Sequence, residues 1–335
     1  MVEDGINTIL KNFNMEKHFI AWWNVENLFD EKDAPPERRP EEIKRKIKAD
    51  LSDWTAEVLN KKLENLAWVI SQMNNNQGPD ILGVCEIENK HVLEQLIDKL
   101  DLLGHRYGII HSDSSDNRGI DVAFLYDENK YEYVSSEFFQ HTVIKRYATR
   151  EIIQATLKTS KGNELILLGN HWPSRSAGQY ESEPFRIITG ETLSYFTERI
   201  QQIKGNDVAI IVMGDFNDEP FNRALTDYAL SVRNRNKVVY GQNPYLFNLM
   251  WPLMGQRISS YVFDARPLMI DQFMVSKGIA KKSGKYDLDE STVNIEIYDG
   301  MISGRYNEPV RFGQKVPNLS GFSDHLPISF ILGEK

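Results

Sequence analysis

The sequence predicts an α/β protein in which two mostly antiparallel sheets pack face to face with helices outside. Apolar, strand-like segments alternate with segments of helical periodicity and outnumber them. The order of these elements recurs roughly in two halves, near 18–171 and 205–335, without a short-period repeat. Two halves that each carry an apolar sheet face favour packing of the two sheets against each other.

Strands are predicted where apolar residues alternate or run continuously between turn-forming residues. In chain order these segments are HFIAWWNV ending near Asn24, DILGVCEI, GIDVAFLY, EYVSSEFF, EIIQATLK, ELILLGNH, VAIIVMGD, LMIDQFMV and LPISFIL. The four strands from GIDVAFLY to ELILLGNH follow one another closely along the chain, which is typical of an antiparallel meander.

Helices are predicted where apolar residues recur every three or four positions. Such spacing runs from Leu59 to Met73, with Thr55 as a candidate N-cap, and again over residues 93–103 and 193–203.

Three segments are predicted to form loops. The charged, Pro-containing segment 30–50 is expected to be exposed, and 175–186 and 237–260 are long enough to be active-site loops. The aromatic part of the last segment, 245–254, is expected to fold onto the core, with a substrate wall as the alternative.

Composition bounds the class of protein. The chain has 335 residues, 41% of them hydrophobic and 11% aromatic, which suffices for one large domain over residues 1–335. The net charge of −9 argues against tight, non-specific nucleic-acid binding, although a hydrolase can act on a polyanion through a local basic patch and metal ions. The single cysteine, Cys85, excludes an intrachain disulfide and a cysteine zinc cluster, and its apolar neighbours predict a buried side chain.

The sequence also limits where the protein is expected to be located and which partners it is expected to need. The N-terminus lacks a basic start followed by an apolar stretch, so no signal peptide is predicted. No segment is apolar for long enough to span a bilayer, and stable membrane insertion is not expected. A cytoplasmic protein without an obligate protein partner is therefore the expectation, or a secreted one if a signal has been removed.

Polar residues recur where the apolar strands end. Carboxylates at such positions are partly desolvated and need a cation or a hydrogen-bond partner. Together with neutral amides, and without cysteine, they form an oxygen donor set that suits Mg²⁺ or Mn²⁺ better than zinc. Each residue alone is equally explained as a cap or turn residue, but their joint recurrence predicts a metal site. The residues are Asn24, Glu86, Asp215, Asn217 and Asp324.

Two histidines are candidate catalytic residues. His171 ends a buried strand, and His325 follows the candidate ligand Asp324. A histidine that moves a proton needs an acceptor on its second ring nitrogen. Asp271 lies inside an otherwise apolar strand, where an unpaired carboxylate is costly, and pairing with His325 would remove that cost.

Three arginines flank strand ends and are candidate phosphate-binding residues: Arg118, Arg150 and Arg175. Solvent-facing arginines are an equal alternative for each of them. A Walker loop, a G-x-S-x-G elbow and a helical His-x-x-x-His pair are absent from the sequence, which argues against the enzyme classes built on those motifs.

The ordered motifs resemble those of the endonuclease/exonuclease/phosphatase superfamily, which has the deoxyribonuclease I-like fold. They are Asn24, Glu86, GNH at 169–171, GDFN at 214–217, Asp271 and SDH at 323–325, and they span about residues 18–333. The longer segments AWWNVENLFD, GPDILGVCEIEN and NHWPSR are similar to a bacterial branch described as endonucleases or phosphatases.

The resemblance implies a four-layer α/β sandwich with the site at one end of the paired sheets. It also implies a role for each matching residue. Asn24 and Glu86 would hold a divalent Mg²⁺ or Mn²⁺ ion, with Asp324 nearby. Asp215 and Asn217 would position the attacking water and the phosphate.

The remaining roles concern proton transfer and substrate contact. His171 would contact the scissile phosphate or the leaving oxygen, and His325, oriented by Asp271, would act with Asp215 in proton transfer. Arg150, in the stretch TREI, resembles an arginine that faces the substrate backbone in deoxyribonuclease I.

One departure narrows the function. The chain has GNHWPSR where abasic-site endonucleases of the superfamily carry a Tyr-x-Pro-Asn-like stretch, so abasic-site repair is not expected. The resemblance predicts a metal-dependent hydrolase of phosphoric esters, with nucleic acid as the first substrate candidate. A small or lipid-linked phosphate ester, cleaved as by inositol phosphatases or sphingomyelinases, is the alternative, and a binding module without catalysis is the third.

Overall fold

The computed structural model describes residues 15–114, 116, 118–139 and 151–335. Strands β1 to β9 are Glu16–Leu28, Ile81–Ile87, Tyr107–His111, Asp121–Asp127, Tyr131–Phe139, Ile152–Thr159, Glu164–His171, Ile210–Asp215 and Ser231–Val232. Strands β10 to β18 are Leu246–Asn248, Tyr261–Phe263, Arg266–Leu268, Asp271–Val275, Tyr286–Leu288, Asn294–Ile295, Ile302–Ser303, Glu308–Pro309 and Ile328–Glu334. Helices α1 to α6 are Glu41–Ile47, Ala56–Asn76, Lys90–Asp98, Gln179–Lys204, Arg235–Tyr240 and Lys277–Ala280.

The strands form two large sheets. The first has the order β14-β18-β1-β2-β4-β3, with β15 also on β18, and the second has the order β5-β6-β7-β8-β13-β10-β9. Most neighbours are antiparallel, but each sheet has a parallel pair at its centre, β1 with β2 and β7 with β8. Within each sheet the two central strands therefore end at the same edge, and a contact between Asn24 of β1 and Asp215 of β8 brings the two edges together.

The two sheets face each other across a continuous apolar core. Phe273 of the second sheet and Phe330 of the first are in edge-to-face contact, with ring centroids 4.8 Å apart. Gly83 permits a close approach, because a Cβ at this position would lie 2.8 Å from the sulfur of Met213 in the other sheet. The predicted packing of two sheets face to face is confirmed.

Helices cover the outer faces. On the second sheet, Leu193 and Ile200 of α4 join a separate apolar cluster with Ile166 and Val212. Helix α2 buries its apolar stripe against the first sheet and starts at the predicted cap, where the Thr55 hydroxyl accepts the backbone N–H of Val58. None of the helices in the described ranges is both long and apolar enough to cross a membrane.

Three local predictions are wrong. The strand β4 belongs to the first sheet, so the meander contains only β5, β6 and β7. The segment 30–50 is not simply an exposed loop, because it contains α1 and because Arg39 is fully buried on the carboxylate of Glu88. Most of 175–186 is the first part of α4 rather than a loop.

The aromatic segment 245–254 folds onto the core as expected. Leu246 and Phe247 lie in β10, and Leu249 and Met250 are also buried. Cys85 is buried, as its apolar neighbours predict.

The end of the sandwich opposite the central strand ends contains a buried histidine. The Nδ1 of His18 lies 2.6 Å from the Tyr131 hydroxyl, and its Nε2 lies 3.1 Å from Glu334. Burial lowers the pKa of His18 below its usual 6.5, although Glu334 opposes the shift. The folded protein therefore binds this proton less readily than the unfolded chain does.

We predict that His18 makes the protein less stable as the pH falls through about 6.5, where the unfolded histidine gains its proton. The melting temperature should then fall more between pH 7.5 and pH 5.5 in the wild type than in His18→Gln. The partly exposed His91 gives the control, His91→Gln, which should keep the wild-type slope. Equal slopes in the wild type and His18→Gln would contradict the prediction.

Candidate active site

The second sheet places three predicted site residues in one row across neighbouring strands. His171 ends β7 opposite Asp215, which ends the parallel strand β8. Asp215 in turn lies opposite Asp271, the first residue of the antiparallel strand β13. Gly214 makes this row possible, because a Cβ there would lie 2.5 Å from the carbonyl oxygen of Asn170 on β7.

The first sheet adds Asn24 and Glu86 to the same edge. The amide of Asn24 donates to Oδ2 of Asp215 at 3.1 Å, which joins the two sheets directly. The Nε2 of His171 lies 3.6 Å from Oε1 of Glu86 and 3.7 Å from Oδ2 of Asp215. Side chains from four strands therefore converge on one point.

His325 and Asp271 form the predicted pair. The Nδ1 of His325 lies 2.7 Å from Oδ2 of Asp271, and both side chains are almost fully buried. Trp22 donates its indole N–H to the other carboxylate oxygen at 3.1 Å. Burial alone would lower the pKa of His325, but the contact with Asp271 outweighs it and raises that pKa well above 6.5.

Asp215 faces this pair without a direct hydrogen bond. Its Oδ2 lies 3.9 Å from Nε2 of His325, so one small molecule such as water can contact both atoms. Burial raises the pKa of Asp215 to about 7, and the nearby charge of Asp271 adds to the rise. The carboxylate is thereby suited to accept a proton near neutral pH.

Asn217 orients the loop that follows β8. Its backbone N–H donates to Oδ1 of Asp215 at 3.0 Å, and its side-chain amide donates to the carbonyl of Trp172 at 3.0 Å. Asn217 and Glu86 both have positive φ, 49° and 65°, a conformation that costs energy in residues other than glycine. The left-handed turns therefore fall at the ends of the strands that supply the site.

Three carboxylates lie together at this edge: Glu26, Glu86 and Asp324. Burial raises the pKa of Asp324 to about 6, and the charges of Glu26 and Glu86 contribute to the rise. The repulsion between them would be relieved by a cation, and hard oxygen donors fit Mg²⁺ or Mn²⁺. The chemistry of these residues thus suits a divalent metal, and Glu86, Asp324 and the amide oxygen of Asn24 are the candidate donors.

The predicted arginines differ in their surroundings. Arg118 is about half exposed, and its Nη2 lies 3.9 Å from Oε1 of Glu86. Arg175 turns away from the strand ends and donates to the carbonyl of Asn217 and, at 3.0 Å each, to the side chains of Asp218 and Asn222. Arg150 lies outside the described residues.

Sequence reasoning missed two charged residues of this edge. Glu26 ends the same apolar strand as Asn24, a signal identical to the one that identified Glu86. Lys62 lies on the apolar stripe of α2, three residues from Leu59 and four from Leu66, which is an unusual place for a lysine. It is fully buried, and burial lowers its pKa to about 8.

Two further residues gave no local signal. Tyr261 stacks on His325 with ring centroids 4.6 Å apart. Arg311 is bound to Glu26 and lies 3.8 Å from Asp324. Both come from segments far along the chain from the strands that they contact, so only the tertiary structure identifies them.

A family model described as the endonuclease/exonuclease/phosphatase family matches residues 19–334. The chain belongs to this family. Its members are phosphoesterase hydrolases and generally depend on a divalent metal. A comparison of the sequence with curated proteins finds no match.

Solved structures of the family are similar in fold. An endonuclease/exonuclease/phosphatase family protein from Bacteroides thetaiotaomicron has 16% identity and a TM-score of 0.56, over 96% of this chain and 99% of that one. The human Nocturnin catalytic domain has 16% identity and a TM-score of 0.53, over 96% and 98%. D. rerio TDP2, in complex with a single-strand DNA product, has 14% identity and a TM-score of 0.56, over 95% and 99%. The four-layer sandwich is confirmed.

We predict that the wild type, stripped with EDTA and returned to 5 mM Mg²⁺ at pH 8, melts roughly 2–5 °C higher than without the metal. Glu86→Gln should lose most of this shift, because it removes one anionic donor from the edge. Glu128, which is ion-paired with Arg106 away from this edge, gives the control Glu128→Gln, which should keep the shift. An equal shift in Glu86→Gln and the wild type would argue against the metal site.

Proposed function

We propose that this protein is a Mg²⁺- or Mn²⁺-dependent phosphodiesterase that cleaves nucleic acid by in-line attack of water. The observation that carries the proposal is the convergence of Asn24, Glu86, His171, Asp215 and His325 at one edge of the paired sheets. A bound divalent metal would neutralise charge on the phosphate oxygens and the leaving group.

The protein residues divide the proton chemistry between them. Asp215, with a pKa of about 7, accepts the proton of the attacking water. The raised pKa of His325 keeps its ring protonated near neutral pH, so the ring donates a hydrogen bond to a phosphate oxygen. His171, which lies close to both Glu86 and Asp215, would contact the phosphate on the other side.

Nucleic acid is favoured by the surface beside the site. Tyr261 and Phe263 point to the same side of the short strand β11, because alternate residues of a strand share a face. Tyr261 stacks on His325, and the next residue on that face, Phe263, is 63% exposed. An exposed aromatic ring next to a phosphate-binding site is suited to stack on a nucleobase.

We predict that Asp215→Asn, His325→Asn and Asp271→Asn each lower kcat on nucleic acid by at least about 10²-fold, because each removes a group that acts on the transition state or orients one. Steady-state rates on a fluorescent oligonucleotide would measure the loss. The control Asp207→Asn changes an exposed aspartate at the far end of β8 and should retain the wild-type rate. A folded Asp215→Asn protein with near-normal turnover would refute the assignment.

We predict that, with Mg²⁺, the wild type cleaves plasmid DNA, single-stranded DNA or RNA faster than p-nitrophenyl phosphate or sphingomyelin vesicles. Bis-p-nitrophenyl phosphate reports on diester cleavage without a base. Cleavage of the monoester or the lipid alone would favour the alternative, a phosphatase or phosphodiesterase on a small or lipid-linked phosphate, with which the net charge of −9 agrees. No cleavage of any substrate would indicate a binding module.

A further inference from the structure

We propose that Arg311 binds a second phosphate group of the substrate, next to the one that is cleaved, so that the preferred substrate carries at least two phosphates. The proposal rests on the proposed function and concerns the same site. The evidence is the way in which Arg311 is held, the part of its guanidinium that is left available, and its height above the reacting groups.

Arg311 is fixed by a buried carboxylate. Glu26 is 2% exposed, its Oε1 accepts from Nε of Arg311 at 2.8 Å, and Nη2 lies 2.6 Å from the same oxygen in an ion pair. Its Oε2 accepts the backbone N–H of Phe312 at 3.0 Å. One carboxylate therefore orients both the guanidinium and the backbone that carries it.

Hydrogen bonds from helix α2 also hold the backbone near Arg311. The buried Lys62 donates to the carbonyl of Phe322, and the amide of Asn65 donates to the carbonyl of Gly321 at 2.7 Å. Gly321 lies against Arg311, since a Cβ at Gly321 would be 2.1 Å from the Arg311 carbonyl oxygen. Helix α2 thus supports the backbone on which the arginine stands, and the guanidinium is pre-organised.

Half of the guanidinium remains available. Glu26 occupies the edge formed by Nε and Nη2, and within the described part of the chain no protein atom within bonding distance faces Nη1. The side chain is 62% exposed. Nη2 also lies 3.8 Å from Oδ2 of Asp324, so the two N–H groups of Nη1 are the donors that remain for a phosphate.

The position of Arg311 at the rim of the site, above the buried Asp215 and His325, indicates which phosphate it can reach. The side chains of Asp215 and His325 are 3% and 6% exposed, so the phosphate under attack must descend to the floor of the site. Arg311 stands at the rim, with Nη2 3.8 Å from Oδ2 of the partly exposed Asp324. A phosphate bound by the outer edge of Arg311 would lie farther from the floor of the site than the scissile phosphate does. This is the position expected for the neighbouring phosphate of a nucleic-acid chain.

Arg175 provides the contrast. It was predicted to bind phosphate because it follows His171, but it is 18% exposed and its donors are directed to Asn217, Asp218 and Asn222. Arg311 is therefore better placed than Arg175 to meet the substrate. A purely structural Arg311, serving only to neutralise Glu26, is the competing explanation.

The test compares substrates that differ in phosphate number. Tetrathymidylate offers neighbouring phosphates, whereas a thymidine dinucleotide without terminal phosphates and bis-p-nitrophenyl phosphate each offer one. For Arg311→Gln we expect KM on tetrathymidylate to rise roughly 10- to 100-fold, with a loss on the one-phosphate substrates at least tenfold smaller. Arg311→Lys, which keeps the charge but not the fork, should fall between.

A binding measurement completes the test without turnover. In EDTA, the affinity for labelled tetrathymidylate should be weaker in Arg311→Gln, and the dependence of log Kd on log salt should be shallower by about one unit than in the wild type. The control is Arg106, which directly precedes β3, is 80% exposed and is paired with Glu128. The variant Arg106→Gln should match the wild type in both assays.

The outcomes separate the two proposals. Equal losses on one-phosphate and multi-phosphate substrates, or a lowered melting temperature with unchanged salt dependence, would overturn the role of Arg311. A wild type that cleaves none of these esters would overturn the proposed function. The binding measurement in EDTA would still test whether Arg311 binds a phosphate. If Arg311→Gln does not fold, Arg311→Lys supplies the same comparison.

Discussion

The ion pair between Asp271 and His325 is the interaction on which both the fold and the site depend. Asp271 opens a strand of the second sheet and His325 precedes a strand of the first, so their 2.7 Å contact fixes the two sheets in register. Trp22 reaches across the core to the remaining carboxylate oxygen, and the Ser260 hydroxyl accepts the Asp271 backbone N–H. An isolated buried carboxylate would be costly, and these partners remove that cost. The contacts that join the sheets are thus the contacts that orient His325, the proposed catalytic histidine.

The same edge concentrates negative charge where water is scarce. Asp215 and Asp324 are both held with a raised pKa by burial and by neighbouring carboxylates. Such an arrangement is unfavourable for the folded chain alone, because each carboxylate would ionise more readily in water. It becomes favourable when a dication and the protonated His325 supply positive charge. The raised pKa values thus mark a local cost in stability, which the proposed metal site and general base would explain.

The sequence predicted the parts of this architecture that follow from local patterns. Apolar strands that end in polar residues indicated Asn24, Glu86, His171 and Asp215 as candidates, and the structure brings these residues to one edge. It could not predict contacts between distant segments. Arg311 meets Glu26 from 285 positions away, and the burial of Arg39 on Glu88 depends on how a charged, Pro-containing segment wraps around a strand end. Strand β4 was placed in the wrong sheet because sequence proximity does not reveal when the chain crosses from one sheet to the other.

The arginines show why proximity in sequence is a poor guide to what a side chain binds. Arg175 follows β7 closely in the sequence, yet the turn after β7 folds its guanidinium onto the loop after β8, where its donors stabilise the backbone next to Asp215. Arg311 lies in a remote segment, yet Glu26 occupies only one of its edges. The function of an arginine near a site therefore depends on how many of its five donors the protein already uses. A guanidinium bound on several sides stabilises the protein, and one bound on a single side can still bind a ligand.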